Sequence, residues 1–175
     1  MRQLIFLLLF TLVLASCNSS KDKVEEISGI QSDYPKDTTP RVTVIGGIFI
    51  TSDDPQKTTE WYGKNLGLAT DEYGSVFEFR SANNPGEVNY LRWSAFKTGS
   101  NYLKPSRKEF MINYRVQNIE GLVRMLRNNG VTILDTIATY DYGKFVHILD
   151  PDGNKIELWE PVDSVLTKMG GKTTK

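Results

Sequence analysis

Apolar and polar residues alternate clearly near the end of the chain, over residues 143–161. Residues 144–149 and 155–160 each show this alternation, and the turn-forming sequence Asp-Pro-Asp-Gly-Asn lies between them at 150–154. Two alternating runs joined by such a turn predict a β-hairpin. Because side chains point alternately to the two faces of a strand, burial of Ile156 and Leu158 would turn Glu157 to the opposite face.

The remaining apolar pattern predicts two similar sets of elements. The first set is a strand at 44–50, a helix starting at Pro55 after a cap by Asp53 or Asp54 and ending at Gly67, and strands at 68–72, 75–80 and 87–96. Trp61, Tyr62 and Leu66 are expected on the buried side of that helix. The second set is a strand at 110–116, a helix with apolar residues at 119, 122, 123 and 126 that ends at Gly130, and strands at 131–136, 144–149 and 155–160.

The two sets indicate an internal duplication. Ile48 corresponds to Ile112, Gly67 to Gly130, and the pair Tyr73-Gly74 to Tyr142-Gly143. The predicted fold class is therefore α+β, with two βαβββ modules that pair curved mixed sheets around a cleft and carry their helices outside.

Composition restricts the function. The chain has 175 residues, with 21 basic and 21 acidic side chains, so nothing indicates a nucleic-acid partner. One cysteine excludes an intrachain disulfide, and one histidine excludes a histidine-rich metal site within one chain.

The N-terminal segment is typical of protein export. Arg2 precedes an apolar run at 4–15, which is shorter than the about 20 residues that span a bilayer. Leu14-Ala15-Ser16-Cys17 resembles the bacterial lipoprotein box, and this implies removal of residues 1–16 and lipidation of Cys17. Residues 17–40 then form a flexible tether, residues 41–162 the folded domain and residues 163–175 a disordered tail. The expected location is the bacterial cell envelope, facing the periplasm or the exterior.

Three segments together resemble a known superfamily. GGIFITSDDPQKTTEWYGKNLGL, MINYRVQNIEGLVRMLRNNGV and DPDGNKIELWEP are similar to the vicinal oxygen chelate superfamily, which contains glyoxalase I, extradiol dioxygenases and bleomycin-resistance proteins. The resemblance covers residues 42–161. It implies the paired-module fold more strongly than it implies an activity, because this fold hosts several chemistries.

Metal-using members of that superfamily place ligands on the first and fourth strands of each module. The resemblance places Glu157 at one such position and Met111, Gly47 and either Tyr90 or Leu91 at the others. One carboxylate is too few for a stable transition-metal site, so we expect no metal cofactor, with a divalent metal as the alternative.

Glu157 has three interpretations from the sequence. In the first, it is a carboxylate that pairs with Arg92 or Arg115, or that is hydrogen-bonded in a polar cleft. In the second, it is a metal ligand assisted by His147. In the third, it is a general base whose pKa is raised by desolvation. We favour the first of these.

Strand parity predicts a small-molecule site in the cleft. Met111, Asn113 and Arg115 should point inward, while Ile112, Tyr114 and Val116 pack under the helix. The full predicted set of ligand-binding residues is Phe49, Tyr90, Arg92, Met111, Asn113, Arg115, His147 and Trp159. The alternative is that these aromatic residues only fill the space between the half-sheets.

Two functions follow from the sequence. The first is a metal-free binding protein at the envelope, joined to the membrane through lipidated Cys17. The second is a lyase or dioxygenase-type enzyme that uses Glu157 as metal ligand or general base. The sequence does not determine the ligand or whether an oligomer forms.

Overall fold

The computed structural model describes residues 37–82 and 84–175. In this part of the chain the elements are β1 (Arg41–Ser52), α1 (Pro55–Leu66), β2 (Thr70–Asp71), β3 (Gly74–Ser81), β4 (Asn84–Lys97), a short 3-10 helix (Asn101–Leu103), β5 (Phe110–Gln117), α2 (Ile119–Asn128), β6 (Thr132–Ile133), β7 (Ala138–Tyr140), β8 (Gly143–Leu149), β9 (Lys155–Pro161) and α3 (Asp163–Met169). The predicted signal peptide, the lipidation of Cys17 and the tether as far as residue 36 lie outside the described residues.

The described strands confirm the duplicated α+β architecture. They form one mixed sheet in the order β2-β3-β4-β1-β5-β9-β8-β6, with β7 also paired to β8. Each module pairs its first strand in parallel with its last, β1 with β4 and β5 with β9. The two modules join through the antiparallel pair of β1 and β5, in which Ile48 lies opposite Ile112. The half-sheets are therefore continuous with each other.

The two long helices have the predicted ends. Asp54 accepts a hydrogen bond from the Lys57 amide at the start of α1, and Gly67 ends this helix with a φ of 74°. The second helix is capped by Asn118. Its predicted stripe packs on β5, β8 and β9 in an apolar core of Val116, Ile119, Leu122, Val123, Val146, Ile148 and Leu158.

The predicted buried face of α1 was wrong at two positions. Trp61 is 54% exposed and Leu66 is 57% exposed, whereas Tyr62 packs on Trp93 with ring centroids 4.4 Å apart. Helix α1 has no fully buried residue and contacts the sheet mainly at β4.

The hairpin of β8 and β9 is confirmed, and its neighbour differs from the prediction. Asp150 accepts hydrogen bonds from the amides of Asp152 and Asn154 in the turn. The strand expected at 131–136 is reduced to the two residues of β6, and a separate short strand, β7, follows at Ala138–Tyr140. Between them the Asp135 carboxylate accepts a hydrogen bond from the His147 amide at 2.8 Å, so a side chain replaces the backbone carbonyl there.

The prediction of a disordered tail at 163–175 was wrong. Residues 163–169 form α3, and the Thr174 amide donates to the Val76 carbonyl at the free edge of β3. The Thr174 hydroxyl contacts Ser75 at 2.9 Å. Polar composition suggested disorder, but unpaired backbone groups at the edge of a sheet bind a polar segment well. Among the described residues, no helix combines the length and apolar composition needed to cross a bilayer.

Candidate functional site

A row of neighbouring strand positions crosses the middle of the sheet on its concave face. Gly47 lies opposite Arg92 on one side and Asn113 on the other, and Asn113 lies beside Glu157. Glu157 in turn lies opposite His147. The row therefore runs from Arg92 through Gly47, Asn113 and Glu157 to His147.

The residues beside Gly47 in the sheet differ from the residues that the resemblance compared with metal ligands. Asn113 and Arg92 lie beside Gly47, rather than Met111 and Tyr90 or Leu91. Met111 lies two residues before Asn113 in β5, opposite Phe49. Met111 instead packs in an apolar cluster with Phe49 and Leu103.

Both carboxylate oxygens of Glu157 are engaged. Asn113 Nδ2 donates to Oε1 at 2.6 Å, and the Tyr102 hydroxyl donates to Oε2. His147 Nε2 also contacts Oε2, at 3.0 Å. Glu157 is only 3% exposed, so these three groups replace its hydration. The predicted partners Arg92 and Arg115 do not bind it.

His147 lies between two carboxylates. Its Nδ1 is 2.6 Å from Asp135 Oδ2, while its Nε2 faces Glu157. Each ring nitrogen must carry a proton to bind a carboxylate, so this arrangement favours imidazolium. Burial lowers the pKa of His147, but the bonds to Glu157 and Asp135 outweigh burial and the net shift is upward.

The pKa of Glu157 moves opposite to the direction expected for a general base. Burial raises this pKa, but the hydrogen bonds from His147, Tyr102 and Asn113 lower it further than burial raises it. The net shift is downward, so Glu157 stays ionised and is a weaker base than an ordinary glutamate. The pKa of Tyr102 is raised, because its hydroxyl is buried beside this carboxylate.

Tyr102 reaches Glu157 from the segment that joins the two modules. Its ring stacks on Phe96 with centroids 5.0 Å apart, and the His147 ring meets it edge-on at 5.6 Å. Lys155 Nζ lies 5.2 Å above the ring and donates to the Tyr102 carbonyl at 2.5 Å. Sequence patterns predicted no element between the strands at 87–96 and 110–116, and we interpret residues 99–108 in that interval as a polar link. The adjacent Tyr102 and Leu103 in that link were the signal for a segment that folds back on the sheet.

The donor groups of this row do not fit a divalent metal. A Cβ on Gly47 would lie 3.0 Å from Phe49 Cζ and 3.1 Å from the Arg92 carbonyl oxygen, so there is no room for a ligating side chain. Arg92 is a cation paired with Asp71 at 2.8 Å. Within residues 37–82 and 84–175, no group of three or more His, Cys, Asp or Glu side chains could hold a metal ion. To bind a metal, Glu157 would have to give up its present hydrogen bonds. The row would not supply enough other ligands to complete the coordination of that metal.

A second cluster surrounds Arg115, which is 3% exposed. The guanidinium donates to the Tyr90 carbonyl at 3.1 Å and to Asn89 Oδ1 at 2.9 Å, and it is paired with Asp163 of α3. Its carbon atom Cζ lies 5.1 Å from the centre of the Trp159 ring and 5.8 Å from that of Phe79, within cation–π range. Gly46 makes room for this cluster, because a Cβ there would lie 2.6 Å from Arg115 Cγ.

A groove of about 1140 Å³ opens beside Arg115. Strands β1 and β4 pair from Gly47 and Arg92 onward, so the earlier parts of both strands are separate. The groove is lined by both of these segments, by the end of β5 and by the start of α3. Arg115 and Asp163 belong to its lining, and Glu157 does not.

The predicted ligand-binding residues therefore divide into separate groups. Asn113 and His147 contact Glu157, with Phe49 and Met111 packed nearby. Tyr90, Arg115 and Trp159 belong to the second cluster, and Arg92 binds Asp71. The inward direction of Met111, Asn113 and Arg115 is confirmed. Tyr102, Asp135 and Asp163 were missed, because each reaches the sheet from a loop or tail whose path local patterns do not predict.

Comparison with known proteins gives the family. The model of the Glyoxalase/Bleomycin resistance protein/Dioxygenase superfamily matches residues 44–158. The chain belongs to this superfamily. No curated protein matches the chain with significance.

Solved structures of low sequence identity are similar to this chain, and the first of the three below has the same fold. A methylmalonyl-CoA epimerase from Streptomyces coelicolor, in complex with 2-nitronate-propionyl-CoA, is 16% identical with a TM-score of 0.51 and covers 70% of this chain and 99% of its own. The epimerase from Mycobacterium tuberculosis is 20% identical with a TM-score of 0.49, covering 74% of this chain and 95% of its own. A variant of homoprotocatechuate 2,3-dioxygenase from B. fuscum is 17% identical with a TM-score of 0.47. The match covers 73% of this chain and 34% of the dioxygenase chain.

Proposed function

We propose that this chain is a metal-independent binding protein of the superfamily. It holds a small organic molecule and is anchored at the bacterial cell envelope by a lipid on Cys17. The observation that carries the proposal is the occupation of both Glu157 oxygens by Asn113, Tyr102 and His147.

The Glu157 cluster supplies its own cation. In a metal-using relative a divalent ion would balance such a buried carboxylate, whereas here the His147 imidazolium is placed against it. The side chains beside it in the row, Gly47 and Asn113, contribute no further carboxylate or imidazole ligand. This arrangement supports a structural role for Glu157.

The groove beside Arg115 is the space for a small molecule. Its volume of about 1140 Å³ exceeds that of the typical pocket for a small organic ligand. Polar and charged groups line much of it, so the ligand is a polar molecule rather than a lipid tail.

The envelope location rests on residues 1–17. Their charged start, short apolar run and cysteine at the end form the export and lipidation pattern. A binding domain on such an anchor would capture its ligand outside the cytoplasm.

The alternative from the sequence, a lyase or dioxygenase-type enzyme, depends on Glu157. As a metal ligand it would need further ligands that the row does not supply. As a general base it would need a raised pKa, and the pKa is lowered. The geometry therefore favours binding.

Metal binding by the mature, tag-free protein tests the proposal. The protein would be produced in medium supplemented with zinc, manganese and iron, analysed for bound metal, and titrated with Zn²⁺ and Mn²⁺ in a calorimeter. We expect no stoichiometric metal in the wild-type protein. We also expect the calorimetric titrations of wild type and Glu157→Gln to be the same. One equivalent of a transition metal, absent from Glu157→Gln, would overturn the proposal.

A further inference from the structure

We propose that Arg115 binds the carboxylate of a small organic acid and that Asp163 of α3 occupies this position in the ligand-free protein. The inference rests on the proposed binding function and names its ligand class. It depends on the second cluster of the cleft and not on Glu157.

Arg115 is prepared to recognise an anion. The Tyr90 carbonyl and Asn89 Oδ1 fix the plane of its guanidinium, and the Trp159 and Phe79 rings lie beside it. Because this arginine is already held in one conformation, it loses little further conformational entropy when it binds a carboxylate. Its binding geometry is therefore preorganised. Val42 and Val44 in the groove lining provide apolar surface for the body of an organic acid.

Arg115 satisfies only one of the two carboxylate oxygens of Asp163. Its Oδ2 binds Arg115 Nη2, whereas its Oδ1 is buried and has no hydrogen-bond partner among the described residues. A buried carboxylate oxygen without a donor is costly, and burial accordingly raises the pKa of Asp163. A free carboxylate can approach the guanidinium with both oxygens, which a side chain fixed on a helix does not do here.

The helix that carries Asp163 is held weakly. In α3 no residue is fully buried, and the N-cap residue Val162, which precedes the helix, provides no side-chain cap. Besides the Arg115 pair, the Thr167 hydroxyl meets the Tyr90 hydroxyl at 3.1 Å. Elements with little buried apolar surface open at low free-energy cost, so α3 can leave while the sheet stays folded.

The groove gives an incoming acid its path. Arg115 and Asp163 both line it, so displacement of Asp163 exposes the guanidinium to the groove. The other groove cations are paired on the surface, Arg41 with Asp37 and Lys144 with Glu120, each at 2.6 Å. The acidic residues Glu87 and Glu160 also line the groove, so repulsion selects a monocarboxylate over a phosphate or another multiply charged anion.

Benzoate is a suitable probe, because it combines one carboxylate with an aromatic body. Its binding to mature wild-type protein and to Asp163→Ala would be measured by calorimetry at constant ionic strength, with benzamide and inorganic phosphate as comparison ligands. We expect Asp163→Ala to bind benzoate about tenfold more tightly than wild type, because the competing side chain is gone. Benzamide and phosphate should bind neither protein.

Arg115 itself is tested in the same background. Adding Arg115→Lys to Asp163→Ala should abolish benzoate binding, since lysine lacks the planar fork. In case this double variant does not fold, the Arg115 Nε resonance of Asp163→Ala is followed by NMR and should shift during the benzoate titration.

Several results would overturn the inference. These are equal benzoate affinity of wild type and Asp163→Ala, binding that survives Arg115→Lys, an unmoved Arg115 resonance, or phosphate binding as tightly as benzoate. If one of these results is obtained and the protein binds no metal, the proposed metal-independent function stands and only the proposed ligand class is wrong. If the protein binds stoichiometric metal and also binds benzoate through Arg115, the proposed ligand class stands and only the proposed metal-independent function is wrong.

Discussion

The Tyr102 hydroxyl, from the segment between the two modules, donates to the Glu157 carboxylate near the end of the folded chain. This bond ties the linker to the second module. It also places a phenol where a metal-using relative would need an open coordination position on the carboxylate. Tyr102 is therefore one of three hydrogen-bond partners that hold this buried carboxylate.

Removing the hydroxyl of Tyr102 should destabilise the domain. In Tyr102→Phe the buried Glu157 loses one donor, and we expect the free energy of unfolding to fall by about 1–2 kcal/mol in denaturant titrations. Tyr140→Phe is the matched control, because Tyr140 is 53% exposed and should leave stability unchanged. Equal stability of Tyr102→Phe and wild type would show that the bond is not formed.

Removing the charge of Glu157 should affect His147. In Glu157→Gln the partly buried imidazolium keeps only Asp135 as a carboxylate partner, so the pKa of His147 should fall. Loss of one member of a buried ion pair costs about 3 kcal/mol of stability. The pKa can be followed by NMR without assignment, because the chain has one histidine. An unchanged His147 pKa would contradict the contact.

The stability of the domain should depend on pH through these two groups. The folded-state pKa of His147 is raised above 6.5, so its stabilisation is complete below pH 6.5 and is lost as pH rises through the folded-state value. The folded-state pKa of Glu157 is lowered below 4.5, so its stabilisation is present above pH 4.5 and is lost as pH falls through the lower value. Melting temperatures measured against pH should therefore decline on the alkaline side for wild type.

The matched variant for this pH dependence is His147→Gln. Its melting temperature should lack the alkaline decline that His147 causes, while the Tyr102 hydroxyl still donates to Glu157 and Lys155 still donates to the Tyr102 carbonyl. The same decline in both proteins would assign it to another group.

Lipidation of Cys17 should control membrane attachment. Wild-type protein expressed in a bacterial host is expected in the membrane fraction with a lipid mass on Cys17. Cys17→Ala should lose this mass and leave the membrane fraction. Fractionation followed by mass spectrometry measures both, and unmodified Cys17 in the mature wild-type chain would contradict the anchor.

Local sequence patterns predicted the parts of the fold that repeat. The correspondence of Ile48 with Ile112 gave the duplication, and the alternation around Glu157 gave the hairpin and the inward direction of its carboxylate. These features depend on residues close in sequence or on a periodicity of two. They were therefore accessible before the strands were paired.

The composition of the site depended on long-range contacts. The register of β5 with β9 decides that Asn113 rather than Met111 lies beside Glu157, and sequence spacing does not show how these two strands are aligned. Asp135 and Tyr102 lie in irregular segments, and Asp163 lies in a tail whose polar composition resembles disorder. Each reaches the sheet because it satisfies a buried group there: His147, Glu157 or Arg115.

The titration of His147 with and without Zn²⁺ tests the central claim most directly. In mature wild-type protein the NMR titration should give a His147 pKa above 6.5, and added Zn²⁺ should leave it unchanged, because Glu157 already binds the imidazolium, Tyr102 and Asn113. A His147 resonance that Zn²⁺ shifts with one-to-one stoichiometry, together with loss of its titration, would show that His147 and Glu157 form a metal site and would contradict the account.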